Sequence, residues 1–357
     1  MRVALLAHLH HPIASPFVGG LEMHTSMVAD ELVERGHDVT LFARESSSTR
    51  ARLQPILGED AARSPMWEGH TRDLVVDEAI ARAVTAVQAG DFDVVLNNSL
   101  NPLPYTELTE QPMLTVLHTP PLARINAVIE SPAWRPGPRH AFVAVSRFTA
   151  RAWRSRLPEV DTVPNGIYLD HWHTGAPRNP DLAVWSARIT PEKGLHEAID
   201  AARLAGMRME FSGAIGDQAY WENEIRPRLG PDVLYRGHLD HRDLAGLIGR
   251  ASVFLATPLW DEPFGLAMVE AMACGTPVAA FPNGACREVV LPGGGVVAAN
   301  TSPIALAWAI ERARLLDNAQ VHAHAQRYDT KAMMNRYEDL LVHLAGLPAS
   351  LPEVLSA

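Results

Sequence analysis

At 357 residues the chain is too long for one ordinary hydrophobic core and suits two domains. It is 47% hydrophobic and 20% charged, which makes it globular, and no apolar run reaches the roughly 18 residues a bilayer span needs. A net charge of -10 argues against a nucleic-acid partner, and two cysteines, Cys274 and Cys286, make no disulfide framework, so a reducing cytoplasm is the expected setting.

Val3 to Ala7 reads as a first strand rather than a signal peptide, because His8-Leu9-His10-His11 follows its short apolar run. A loop then carries Gly19-Gly20-Leu21-Glu22 into a helix of about Glu22 to Arg35, ended by Gly36, and Asp38 to Ala43 is the second strand of a βαβ unit. The Gly-Gly pair could offer amides to a phosphate, although a plain turn looks the same, and no G-x-G-x-x-G dinucleotide fingerprint follows the strand. Residues 44 to 70 read as a mobile polar loop, with Trp67 and His70 as candidate ligand contacts or ordinary surface groups. Asp73 to Ala89 is a helix. Val94 to Asn97, Leu114 to Leu117 and Ala141 to Val145 are buried strands, and Ser146 is the N-cap of the helix after the last. His118 ends its strand before Thr119-Pro120-Pro121 and points toward the carboxyl end of the sheet.

Residues 170 to 181 are polar and rich in Pro and Gly, and read as a linker. Leu182 to Ser186 opens a second α/β domain. The run Arg188 to Gly194 leaves that strand with two cations, Arg188 and Lys193, which suit a diphosphate that gains charge as it departs but by themselves equally suit a solvated loop. Strands at Met209 to Gly213 and Val233 to Arg236 flank a helix from Tyr220 to Leu229. Gly237-His238-Leu239 ends the second of these strands, and Asp243 to Ile248 is helical. Thr301 to Leu316 and Asp329 to Leu344 are the last helices.

The most informative stretch runs from Asp261 to Ala279. Pro263 suits a first helical turn, Leu266, Val269 and Met272 or Ala273 recur at helical spacing, and Gly275 stops the helix before Pro277 to Phe281 resumes a strand. Glu270 lies eight residues after Glu262, roughly 80° round a helix at about 100° per residue, so both acids can face one cleft. Gly265 lets a backbone approach closely, and the free amides of Gly265 and Leu266 can hold a phosphate. Phosphate on amides and hydroxyls on acids is the recognition chemistry of a nucleotide sugar.

This stretch resembles the E-x7-E motif of the family-4 retaining glycosyltransferases, from Glu262-Pro263-Phe264-Gly265-Leu266 through Glu270-Ala271-Met272-Ala273 to Gly275, Pro277 and Val278. The resemblance implies a GT-B fold: two doubly wound Rossmann-like α/β domains facing across a cleft. The expected domains are 1–170, on the acceptor side, with helix 329–345 packing back on it, and 171–328, which binds the donor. It implies transfer of a hexosyl group from a nucleoside-diphosphate sugar, UDP-linked by preference, to a small-molecule, lipid or glycan hydroxyl. Arg188 and Lys193 would clamp the diphosphate, Glu262 the sugar hydroxyls, Glu270 the ribose, and His118 the hexose. Gly19 and Gly20 would lie against the diphosphate, and Gly237 and His238 near the base. Retention comes from the resemblance, as does attack from the leaving-group face.

Where the family has Asn-Gly-Val-Asp, this chain has Asn165-Gly166-Ile167-Tyr168, so Asp170 inherits no role. No metal and no cofactor are expected. No carboxylate or cysteine falls at ligand spacing within His8-Leu9-His10-His11, and no Asp-x-Asp run is seen to hold a metal against a diphosphate. Peripheral membrane contact stays compatible with a lipid acceptor, although no strongly basic amphipathic helix marks the first domain. An epimerase or hydrolase on the same fold, or a sugar-binding protein without chemistry, are the rival readings.

Overall fold

The computed structural model describes residues 1–62, 69–172 and 177–348. Its first half runs β1 (Arg2–Ala7), α1 (Gly20–Glu34), β2 (Asp38–Arg44), β3 (Arg52–Leu57), α2 (Glu59–Ala62), α3 (Gly69–Ala89), β4 (Val94–Asn98), α4 (Leu103–Glu107), β5 (Met113–Leu117), α5 (Ala123–Ile129), β6 (His140–Ala144), α6 (Arg147–Trp153) and β7 (Asp161–Thr162). The second half runs β8 (Asn179–Ser186), α7 (Leu195–Leu204), β9 (Arg208–Ser212), α8 (Gln218–Tyr220), β10 (Val233–Tyr235), α9 (His241–Gly249), β11 (Ala251–Ala256), α10 (Leu266–Ala273), β12 (Val278–Ala280), α11 (Cys286–Val290), β13 (Gly295–Val297), α12 (Pro303–Ala313), α13 (Asn318–Ala325) and α14 (Thr330–Ala345).

The strands form two parallel sheets, in the orders β3-β2-β1-β4-β5-β6-β7 and β10-β9-β8-β11-β12-β13. Their apolar runs are what two helix-covered faces require: β1 and β11 are almost wholly buried, as are β4 and β5. In each sheet the order reverses once, between β1 and β4 in the first and between β8 and β11 in the second. Such a switch point opens a crevice at the carboxyl ends of the two flanking strands, where ligands of open α/β sheets bind.

The chain divides into two compact units. One is 1–145, 150–163 and 334–357; the other is 146–149 and 164–333. The first long boundary therefore falls between Val163 and Pro164, ahead of residue 170. Residues 164–172 are held by the second unit: the Ile167 amide donates to Tyr328 O at 2.9 Å, the Thr330 amide donates back to Ile167 O at 3.1 Å, and Trp172 is buried with its ring 5.5 Å from that of His241. Most of α14 belongs to the first unit. There Arg35 Nη1 donates to Glu338 at 2.7 Å, and the Tyr337 hydroxyl lies 3.4 Å from His24 Nε2.

Three local readings are corrected. Residues 44 to 70 are not one loop, because β3 lies within them as an edge strand. Its polar, proline-containing sequence is tolerable only at an edge, where Pro55 forfeits no needed ladder bond. Ser47 is buried, and its Oγ accepts the Ile13 amide at 2.9 Å. Trp67 lies outside the described residues, and His70 is exposed on α3. The Tyr220 to Leu229 helix is broken: α8 passes into a wide π-type turn, Trp221–Ile225, and then a 3-10 turn around Pro227, which has no amide to continue the ladder. Finally, α10 begins at Leu266, not near Pro263, because Gly265 sits at φ 89°, outside helical space.

Candidate nucleotide-sugar site

The second unit's switch point brings together the loop after β8 and the loop after β11. Three contacts bind them. Thr257 Oγ1 donates to Lys193 O at 3.0 Å and accepts the Trp185 indole N–H at 3.0 Å. The Leu259 amide donates to Glu192 O at 2.8 Å. Gly194, at φ 65°, packs its backbone so close to Thr257 O that a Cβ would sit 2.2 Å away.

On this frame Lys193 Nζ donates to Glu262 Oε2 at 2.7 Å. The same oxygen accepts the Trp260 indole N–H at 3.0 Å, and the Lys193 ammonium lies 4.8 Å from the centroid of the Trp260 ring. Glu262 is in the loop before α10, so the helix-wheel angle between it and Glu270 does not apply to its side chain. Its own backbone is clasped by the turn before α11, where the Ala285 amide donates to Glu262 O at 2.8 Å. Arg188 is exposed on the same loop as Lys193, with Nη2 3.8 Å from Glu192 Oε1. Gly216 leaves room for its stem, since a Cβ there would meet Arg188 Cγ at 2.7 Å.

Gly265 and Leu266 open α10, and among the described residues no group accepts either amide. They can therefore hold an anion. Gly237 is at φ 78°, and its carbonyl is engaged by the Gly213 amide at 3.0 Å and by Ser212 Oγ at 2.9 Å. His238 is exposed.

Glu270 lies on α10 and is 7% exposed. Burial pushes its carboxyl from 4.5 up to about 8. A raised folded-state value means that the folded protein keeps a proton the unfolded chain has already released. The resulting stability is fully present below pH 4.5 and is lost as pH rises through 8. Unfolding free energy should fall by up to about 3 kcal/mol between pH 5 and 8 from this group alone. Urea titrations across that range should show the slope in the wild type and lose most of it in Glu270→Gln.

In the first unit the corresponding switch point gathers a buried polar cluster. His8, just past β1, places Nε2 2.9 Å from Glu22 Oε1. Burial pushes the Glu22 carboxyl up, but the hydrogen bond and charge of His8, the residue's own amide and His11 outweigh it and hold the group below its ordinary value. The mouth of α1 therefore already carries a carboxylate. A Cβ on Gly19 would meet Glu22 Oε2 at 2.9 Å, and Gly20 is exposed. His118, at the end of β5, is buried. Its Nε2 lies 3.2 Å from Asn98 Oδ1, while the Asn98 amide donates to Thr25 Oγ1. The imidazole is thus the donor to Asn98 and carries its proton on Nε2. Its ring packs on His24 at 4.7 Å. Burial, then the charges of His24 and His8, push His118 well below the ordinary imidazole value, so it is neutral at neutral pH.

Lys193 and Glu262 are thus in direct contact, while Arg188 stands apart on an exposed arm of the same loop. Trp260, Thr257, Gly194 and Gly284 shape the site without having been assigned these contacts from sequence. The available signal was Gly194 inside the first marked run, Trp260 one residue before the second and Gly284 five residues after it.

A model described as Glycosyl transferases group 1 matches residues 169–332, and one described as Glycosyltransferase Family 4 matches residues 18–171. The phosphatidyl-myo-inositol mannosyltransferase of Mycolicibacterium smegmatis is 27% identical over 316 residues, covering 82% of this chain and 79% of that protein. Among solved structures, sucrose-phosphate synthase from Thermosynechococcus elongatus superposes with a TM-score of 0.77 at 19% identity, covering 97% of this chain and 99% of that one. Anabaena HepE in complex with UDP and glucose superposes with a TM-score of 0.73 at 19% identity, covering 96% and 100%. Among the described residues no helix is long and apolar enough to cross a membrane. The two family models together span most of the chain, and it belongs to the family-4 glycosyltransferases of the GT-B fold.

Proposed function

We propose that this glycosyltransferase moves a hexosyl group from a UDP-linked sugar to a hydroxyl of a small-molecule, lipid or glycan acceptor, with the anomeric configuration retained. The observation that carries the reading is the Lys193–Glu262 pair at a switch point, beside a helix whose opening amides are unspent. The diphosphate lies on the amides of Gly265 and Leu266, with Lys193 and Arg188 supplying positive charge in place of a metal. Glu262 accepts from a sugar hydroxyl, and Glu270 faces the ribose. Gly237 and His238 flank the base.

As the bond between the anomeric carbon and the diphosphate breaks, the acceptor oxygen bonds on the same face and its proton passes to the departing phosphate oxygen. Preorganised charge at that leaving group lowers the barrier because it is matched to the transition state. HepE's complex with UDP and glucose supports UDP as the carrier. The setting is a reducing cytoplasm, with peripheral membrane contact if the acceptor is a lipid.

The test incubates the protein with UDP-hexoses, with and without a panel of hydroxyl acceptors, and reads the products by proton NMR. Acceptor-dependent UDP release with an anomer matching the donor supports the proposal. Sugar loss or epimerisation without any acceptor points to the hydrolase or epimerase reading, and an inverted product removes retention.

A further inference from the structure

We propose that Trp260 is a positioning residue for the transfer: it fixes the Glu262 carboxylate so that a single oxygen, Oε1, reads a single hydroxyl of the donor sugar. The inference rests on the donor-site reading above and deepens it.

Both donors that reach Glu262 converge on one oxygen. Lys193 Nζ and Trp260 Nε1 bond Oε2 at 2.7 and 3.0 Å, and among the described residues none bonds Oε1. The Glu262 side chain is 14% exposed, so it is neither sealed in the core nor free in solvent. A lysine alone does not set the rotation of a carboxylate, because its ammonium is a point charge on a flexible stem with three equivalent donors. An indole N–H is different: it lies in the plane of a rigid ring with two torsions, and it points one way.

The same ring holds the other partner by a second route. The Lys193 ammonium sits 4.8 Å from the ring centroid, where the negative face of the indole attracts a cation. One side chain therefore fixes the acid by its edge and the base by its face. Without the N–H, the carboxylate plane can swing about its terminal bond away from this orientation, so no oxygen is held toward one hydroxyl, and the choice of hydroxyl is lost while the ion pair survives.

The experiment compares wild type, Trp260→Phe and Trp260→His on a UDP-hexose and its monodeoxy analogues at C2, C3, C4 and C6, together with UDP titration and thermal melting of each variant. In the wild type one analogue should be penalised about 30–100-fold in kcat/KM, as expected for one charged hydrogen bond. In Trp260→Phe that penalty should fall below about fivefold and kcat should drop about tenfold, with KM and the UDP Kd within about threefold. Trp260→His keeps a ring N–H and should fall between the two; it also carries the test if the Phe variant melts early. An unchanged deoxy penalty in a folded variant overturns the proposal, and so does a parallel loss of kcat and UDP affinity at unchanged penalty, which marks a merely structural role. Failure of the underlying reading looks different: the wild type neither binds UDP nor turns over any UDP-hexose, and Trp260 then has no reaction to position.

Discussion

Lys193→Ala should lower kcat by about 10²–10³ while raising the Kd for UDP by no more than about fivefold. The asymmetry follows from where the charge sits. In the free protein Lys193 is already engaged by Glu262 at 2.7 Å, so ground-state binding of a diphosphate gains little from it. In the proposed transfer, charge accumulates on the leaving diphosphate as the glycosidic bond breaks, and a preorganised ammonium is worth most at that moment. Removing one such donor typically costs about 3–4 kcal/mol of transition-state stabilisation. Steady-state kinetics and calorimetry on the same preparation measure both terms. Equal losses in turnover and affinity would show that Lys193 serves binding alone. Lys193→Arg keeps the charge but not its geometry, and should recover only part of the loss.

Gly284→Ala should destabilise the second unit by roughly 3–5 kcal/mol and abolish turnover. Gly284 sits at φ 63°, and a Cβ there would lie 2.2 Å from Glu262 O and 2.3 Å from Glu262 N. Left-handed backbone strain and overpacking each cost about 1–3 kcal/mol, and here neither can relax, because the neighbouring atoms are backbone. The loop that carries Glu262 must move, and the Ala285 amide then loses its bond to Glu262 O. Gly206→Ala is the matched control. It shares a positive φ, 66°, but has no atom within 4 Å of the added Cβ, and should cost only about 1 kcal/mol. Chemical denaturation separates the two. Similar losses at both positions would mean that backbone conformation, not contact with Glu262, sets the cost.

The parallel α/β architecture was legible because buried parallel strands are short apolar runs, and Val94 to Asn97 or Leu114 to Leu117 has few other readings. The edge strand β3 was not, since a strand covered on one side only can carry Arg52, Gln54 and Pro55 without an apolar signature. The E-x7-E run singled out Glu262 and Glu270, but a wheel projection treated Glu262 as helical, and only the positive φ of Gly265 shows that α10 starts after it. The burial of Glu270 and the convergence of Lys193 and Trp260 on one oxygen are tertiary facts: they depend on β8 and β11 being neighbours, which spacing along the chain does not encode. The His8–Glu22 pair was hidden for the same reason, since its partners are 14 residues apart on different elements.

The most direct test of a nucleotide-sugar site is calorimetric titration of the wild type and Glu270→Ala with UDP, GDP, ADP and dTDP. UDP should bind most tightly, and the substitution should weaken it at least tenfold. Binding of none of the four, or UDP affinity unchanged in Glu270→Ala, would contradict the assignment of the donor site to the second unit's switch point.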